Sequence, residues 1–146
     1  MLITLYKFLI KSGYFAAKLQ YLKTKHYSLE LKINGIIGTF ILDTGASNSC
    51  ICASLENKFN VISKETIEKA SSATSEIINA KVSRNNTIQI GKWKIKINLI
   101  SFNMNHINQV LGEKKIDSIE GILGADILKK SKAILDYKSS KLYLKS

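Results

Sequence analysis

Apolar and polar residues alternate with a period of two over much of this chain, the pattern of half-buried strands. In YSLELKING, Leu29, Leu31 and Ile33 fall on one face, and Asn34-Gly35 provides a tight hairpin turn. The returning strand, IIGTFILD, runs straight into Asp43. SCICASL predicts another strand after a turn at Thr44-Gly45-Ala46. IINAKVS, NTIQIGKWKIKINLISF and AILDYKSSKLYL are three further strand-rich regions, the middle one a hairpin around Gly91-Lys92. Two stretches break the rhythm. Residues 55–70 are more polar and predict loops with a short helix. IEGILGADILKK passes through a Gly-x-x-Gly apolar run into a short helix, with Lys129 and Lys130 suiting its C-terminal end. At the N-terminus Leu5, Phe8, Leu9 and Ser12 fall at helical spacing, so residues 1–26 are expected to form a basic, helical segment ahead of a β domain over 27–146.

The 146 residues suit one domain with a real core, and no linker divides them. The N-terminal apolar stretches are interrupted by Lys7, Lys11 and Lys18, so none approaches the roughly 20 residues of a membrane span. Cys50 and Cys52 are too close in sequence for an ordinary disulfide, and His26 and His106 stand apart from any zinc-like spacing. Reduced thiols, a cytoplasmic location and no metal or other cofactor are therefore expected. The net charge of +11 raises nucleic acid or an anionic membrane surface as partners, through the basic segment 1–26 above all. Against nucleic acid as the main partner, Arg84 is the single arginine among the 22 basic residues, and no aromatic-interleaved RNA signature appears.

FILDTGASNSCI, residues 40–51, carries the candidate chemistry. A carboxylate at the end of an apolar strand is costly to desolvate, yet Asp43 is followed by the small residues Thr44, Gly45, Ala46 and Ser47. Either Asp43 closes a turn, or the chain builds a tight site around one carboxylate. About eighty residues later stands GILGAD, with Ile122-Leu123-Gly124 ahead of the predicted helix.

ILDTGAS followed by the apolar-apolar-Gly element, in this order, resembles the retropepsin-like aspartic proteases over roughly residues 27–146. The resemblance implies a mostly β, closed-barrel acid protease fold with one short C-terminal helix. It implies an aspartic endopeptidase with Asp43 as the catalytic residue, Thr44, Gly45 and Ala46 supporting it, and Ile122, Leu123 and Gly124 crossing under the active-site loop. The family's flap falls on SSATSE, with Ser71, Ser72, Ala73 and Thr74 near its tip, although neither a glycine-rich nor a tyrosine-bearing flap is present. One Asp-Thr-Gly motif per chain implies a homodimer acting on peptide or protein substrates, and a free-standing cellular, bacterial member is expected. AILDY at 133–137 echoes FILDT, but Asp136 lacks the following Thr-Gly and is expected to end a strand. Asp126 is expected to cap the helix start. Ser47 and Ala125 stand where retroviral enzymes often carry an ion pair. The rival reading is an inactive binding or dimerisation module on the same fold.

Overall fold

The computed structural model describes residues 2–67, 70–72, 75–77, 80–104 and 119–146. Helix α1 (Leu5–Lys11) leads into strands β1 (Phe15–Lys18) and β2 (Gln20–Tyr21). Strands β3 (Tyr27–Ile33), β4 (Ile36–Leu42) and β5 (Cys50–Cys52) follow, then a 3-10 turn at Ala53–Leu55. The chain continues through β6 (Glu65–Ile67), β7 (Ala70–Ser72), β8 (Ser75–Ile77), β9 (Ala80–Ile90) and β10 (Trp93–Phe102). It ends in β11 (Gly121–Leu123), α2 (Ala125–Lys130), β12 (Ile134–Asp136) and β13 (Lys141–Leu144).

Six strands close into a barrel, in the order β3-β4-β11-β5-β10-β9 and back to β3. Alternation sets the faces. Leu29, Leu31 and Ile33 of β3 point into the main core with Phe40, Ile51, Ile88, Leu99 and Leu123. At the β3–β4 hairpin both Asn34 (φ 50°) and Gly35 (φ 86°) are left-handed, the geometry a two-residue turn with the twist of its strands requires. Asn34 also ties the turn to distant chain. Its amide nitrogen donates to the Phe59 carbonyl at 2.9 Å, and its side-chain oxygen accepts from Thr87 N at 3.0 Å.

That anchor explains residues 55–64, where no α-helix forms. Phe59 is fully buried and Asn60 is left-handed (φ 52°), so the segment is a pinned loop. The N-terminal segment also departs from expectation. Helix is confined to Leu5–Lys11, and of the spacing Leu5, Phe8, Leu9, Ser12 only Leu9 is buried. After it the chain turns extended, because β1 pairs antiparallel with β13, and Ala17 of β1 and the following Leu19 enter the main core. A three-stranded sheet β1-β13-β12 results. No helix among the described residues is long and apolar enough to cross a membrane.

Candidate active site

Strands β4 and β11 run parallel, with Ile41 beside Ile122 and Leu42 beside Leu123. Both therefore end at the same level, and the residue after β4 is tied to the end of β11: Asp43 N donates to the Leu123 carbonyl at 3.0 Å. Leu123 is fully buried, whereas Ile122 packs partly buried against Ile41, Cys52, Met104 and Ile119. The two sequence elements eighty residues apart are thus brought together.

The loop after β4 is held around its carboxylate. Gly45 N donates to Asp43 Oδ1 at 2.9 Å and Ala46 N to the Asp43 carbonyl at 3.2 Å. Gly45 is not left-handed, so no unusual turn calls for glycine here; a Cβ would sit 3.3 Å from Asp43 Oδ1, a tight contact that would press on the carboxylate. Asp43, Thr44 and Gly45 are exposed in the single chain, while Ala46 is buried beneath them. The Thr44 side chain makes no hydrogen bond within the chain among the described residues, which leaves its hydroxyl available at the surface.

At Gly124 the backbones of the two elements come into close contact. A Cβ on it would lie 2.7 Å from the Ala46 carbonyl oxygen and 2.9 Å from Asn48 backbone atoms. The contact is fastened by Ala125 N donating to that Ala46 carbonyl at 2.7 Å.

Asp126 has a larger role than capping a helix. Gly124 is the N-cap of α2, and Asp126 lies in its first turn. Its carboxylate accepts from Ser49 Oγ at 2.6 Å, from Ser49 N at 3.0 Å and from Ile127 N at 2.8 Å, while Gly124 N donates to Ser49 Oγ at 2.9 Å. Ser49, 2% exposed, is the residue the sequence reading missed. Its one signal is its type: a hydroxyl at the start of an apolar strand needs a partner. Ser49→Ala should lower stability by about 1.5–3 kcal/mol, the range for hydrogen bonds to a charged group, read as a shift in the urea midpoint.

Asp136 lies at the end of β12 and closes a local turn, accepting from Lys138 N at 3.0 Å and from the Ser139 hydroxyl and amide. These bonds, with Lys141 nearby, lower its pKa. Ser71 falls in β7, which pairs antiparallel with β8 so that Ser72 faces Ser75. The other two flap candidates, Ala73 and Thr74, lie outside the described residues.

Cys50 and Cys52 are both buried on β5 with free thiols. They face one way, away from Ile51, which enters the main core. Burial, then the nearby charges of Asp126 and Asp43, push the Cys50 thiol from 9.0 up to about 12. The thiolate is the reactive form, so at pH 8 a soluble alkylating reagent should modify Cys50 only as fast as the protein opens. Labelling as rapid in native protein as in urea would contradict this.

A cavity of about 390 Å³ opens beside Asp43 and Thr44, between the chain around Tyr21–Tyr27 and the end of β12. A larger one, about 720 Å³, lies over β1–β3 and includes none of the candidate residues.

A family described as "gag-polyprotein putative aspartyl protease" matches residues 29–130 of the chain. No curated protein sequence matches it. Its structure is similar to that of the EIAV protease complexed with the inhibitor HBY-793, at 19% identity and a TM-score of 0.58, covering 80% of this chain and 98% of that one. A retropepsin-like aspartic protease from Rickettsia conorii gives 19% identity and a TM-score of 0.59, covering 90% of this chain and 89% of that one. The retroviral protease-like domain of Ddi1 from Leishmania major gives 16% identity and a TM-score of 0.51, covering 80% and 86%. These likenesses show a shared fold, and the family match spans more than two thirds of the sequence, from β3 to the end of α2: the chain belongs to the retropepsin-like aspartyl protease family.

Proposed function

We propose that this protein is an aspartic endopeptidase that works as a homodimer, with Asp43 of each subunit forming the catalytic pair. The observation that carries this reading is the state of the carboxylates. Asp43 is exposed at the junction of β4 and β11, whereas Asp126 is bound to Ser49 and Asp136 to its own turn. Among the described residues, neither of these supplies the second carboxylate the chemistry needs. A second copy related by a two-fold axis next to Asp43 would supply it.

Two carboxylates side by side cannot both ionise, so the pair shares one proton and titrates as a unit, as is usual in aspartic proteases. The ionised member takes a proton from a water held between them, and that water attacks the scissile carbonyl. The protonated member polarises the carbonyl, and a proton then passes to the leaving amine. Gly45 N, bonded to Asp43 Oδ1, fixes the carboxylate's plane. Thr44, exposed beside it, is placed to bond backbone of the partner's loop and lock the two loops together. Residues 27–146 form the protease domain in this reading, and Ser71, Ser72, Ala73 and Thr74 belong to a flap over the substrate.

The test is cleavage of a diverse peptide mixture by the purified protein between pH 4 and 7, with its mass measured by sedimentation. Cleavage by a dimer is expected. A folded dimer that cuts nothing would instead favour a binding or dimerisation module, and a monomer would overturn the shared site.

A further inference from the structure

Among the described residues ten large apolar side chains are exposed, and six of them lie within residues 2–10: Leu2, Ile3, Leu5, Tyr6, Phe8 and Ile10. Leu2 is 99% exposed, and Ile3, Leu5 and Phe8 are each more than half exposed. Apolar groups gathered in water on one short element mark a surface that something else covers. The element presenting them is well fixed. Thr4 caps α1 by accepting from Lys7 N at 3.2 Å, and the buried Leu9 anchors the helix. Charge lies on the same surface. Lys7 and Lys11, one turn apart, stand on the side of the helix opposite Leu9, with Phe8 and Ile10 flanking them. Residues 1–29 contain five lysines and no acid. Lys141 and Lys145 lie over the Tyr6 and Tyr14 rings at 4.6 and 5.5 Å. A cavity of about 440 Å³ beside the helix is walled by Tyr6, Ile10, Tyr14 and Trp93 together with Lys92, and no acidic side chain lines it.

This face turns away from the Asp43 loop. In the β1-β13-β12 sheet Leu142 and Leu144 enter the main core with Leu135 packed against it, and Leu135 also lines the cavity beside Asp43. Alternation puts Lys141 and Tyr143 on the outer face, where Lys141 meets Tyr6 of α1. The sheet therefore stands between α1 and the proposed contact of two Asp43 loops. A second copy is also a poor cover for the helix itself, because a two-fold contact there would bring two sets of Lys7 and Lys11 together. Nucleic acid would match the lysines and leave Leu2, Ile3 and Ile10 in water. An anionic bilayer satisfies both kinds of side chain, because lysine stems run along apolar surface while their ammonium groups reach phosphate.

We propose that α1 and the residues just before it dock this protein on an anionic lipid surface. Leu2, Ile3, Phe8 and Ile10 enter the boundary between headgroups and acyl chains, and Lys7 and Lys11 pair with lipid phosphates. Tyr6 and Tyr14 lie at headgroup level, as amphipathic rings do at a membrane interface. The attachment is peripheral, weakened by salt and independent of the Asp43 chemistry.

The experiment co-sediments full-length protein with vesicles of phosphatidylcholine, alone or mixed with phosphatidylglycerol. Partition should rise at least about tenfold with the anionic lipid and fall as salt is added. In the double variant Lys7→Gln, Lys11→Gln partition onto the mixed vesicles should drop about 30-fold, the yield of two lysines at an anionic surface. In Leu2→Ser, Phe8→Ser it should drop about tenfold or more. All four side chains are exposed, so both variants should keep the wild-type urea midpoint. No binding of the wild type to mixed vesicles overturns the proposal, as does binding that both variants retain in full. Retention on duplex DNA without vesicle binding assigns the lysines to nucleic acid and overturns it. A variant with altered mass in a sedimentation run assigns this face to a contact between copies, which also overturns it.

Discussion

Asp43→Asn protein is expected to fold and dimerise normally and to lose at least about 10³-fold in kcat/KM toward any peptide the wild type cuts. Folding survives because the one hydrogen bond to this side chain among the described residues, from Gly45 N to Oδ1, can be accepted equally by the asparagine carbonyl. The exposed position also means that no buried partner is orphaned by the change. Chemistry fails because an amide can neither take the proton from the attacking water nor share one with the opposite carboxylate. Steady-state kinetics beside a sedimentation run separate the two effects. Activity within tenfold of wild type would remove Asp43 from the reaction.

Gly124→Ala should damage the site and the stability of the protein together. The backbone there, φ −108° and ψ −173°, suits alanine, so the whole penalty is steric. The added Cβ would meet the Ala46 carbonyl oxygen at 2.7 Å and Asn48 backbone atoms at 2.9 Å. Backbone cannot swing aside as a flexible side chain can. Relief requires the loop after Asp43 to part from α2, which breaks the bond from Ala125 N to the Ala46 carbonyl and strains the link between Ser49 and Asp126. A loss of about 2–3 kcal/mol in urea unfolding is expected. Displacing the Asp43 loop by even a fraction of an ångström should also cost kcat/KM about tenfold or more. A variant as stable and as active as wild type would mean that the two elements are less tightly coupled than the geometry implies.

Local patterns in the sequence reported local structure well. The Leu29, Leu31, Ile33 alternation and the Asn34-Gly35 turn gave the β3–β4 hairpin, and GILGADILKK gave β11 and α2. Partner choice was less visible. Period-two alternation says which face of β9 is buried, but not that β9 pairs with both β10 and β3 to close the barrel. Tyr21, Tyr27 and Tyr137 form one ladder, yet nothing in their spacing joins residue 137 to residue 27. Helical spacing at Leu5, Phe8 and Leu9 was real, but only Leu9 is buried, so the pattern overstated the buried face. The Ser49–Asp126 link escaped for a related reason. Asp126 had a sufficient local explanation as a helix-start acid, the Ser49 hydroxyl named no partner, and only the fold sets them 2.6 Å apart.

The claim that one active site is built from two Asp43 side chains is tested most directly by mixing subunits. Wild-type protein co-refolded with a ninefold excess of Asp43→Asn protein should distribute at random between homodimers and heterodimers. Only about a tenth of the wild-type subunits would then face a wild-type partner, so activity per wild-type subunit should fall to about one tenth. Activity that stays proportional to the wild-type protein alone would contradict the shared site, because each subunit would then carry a complete one.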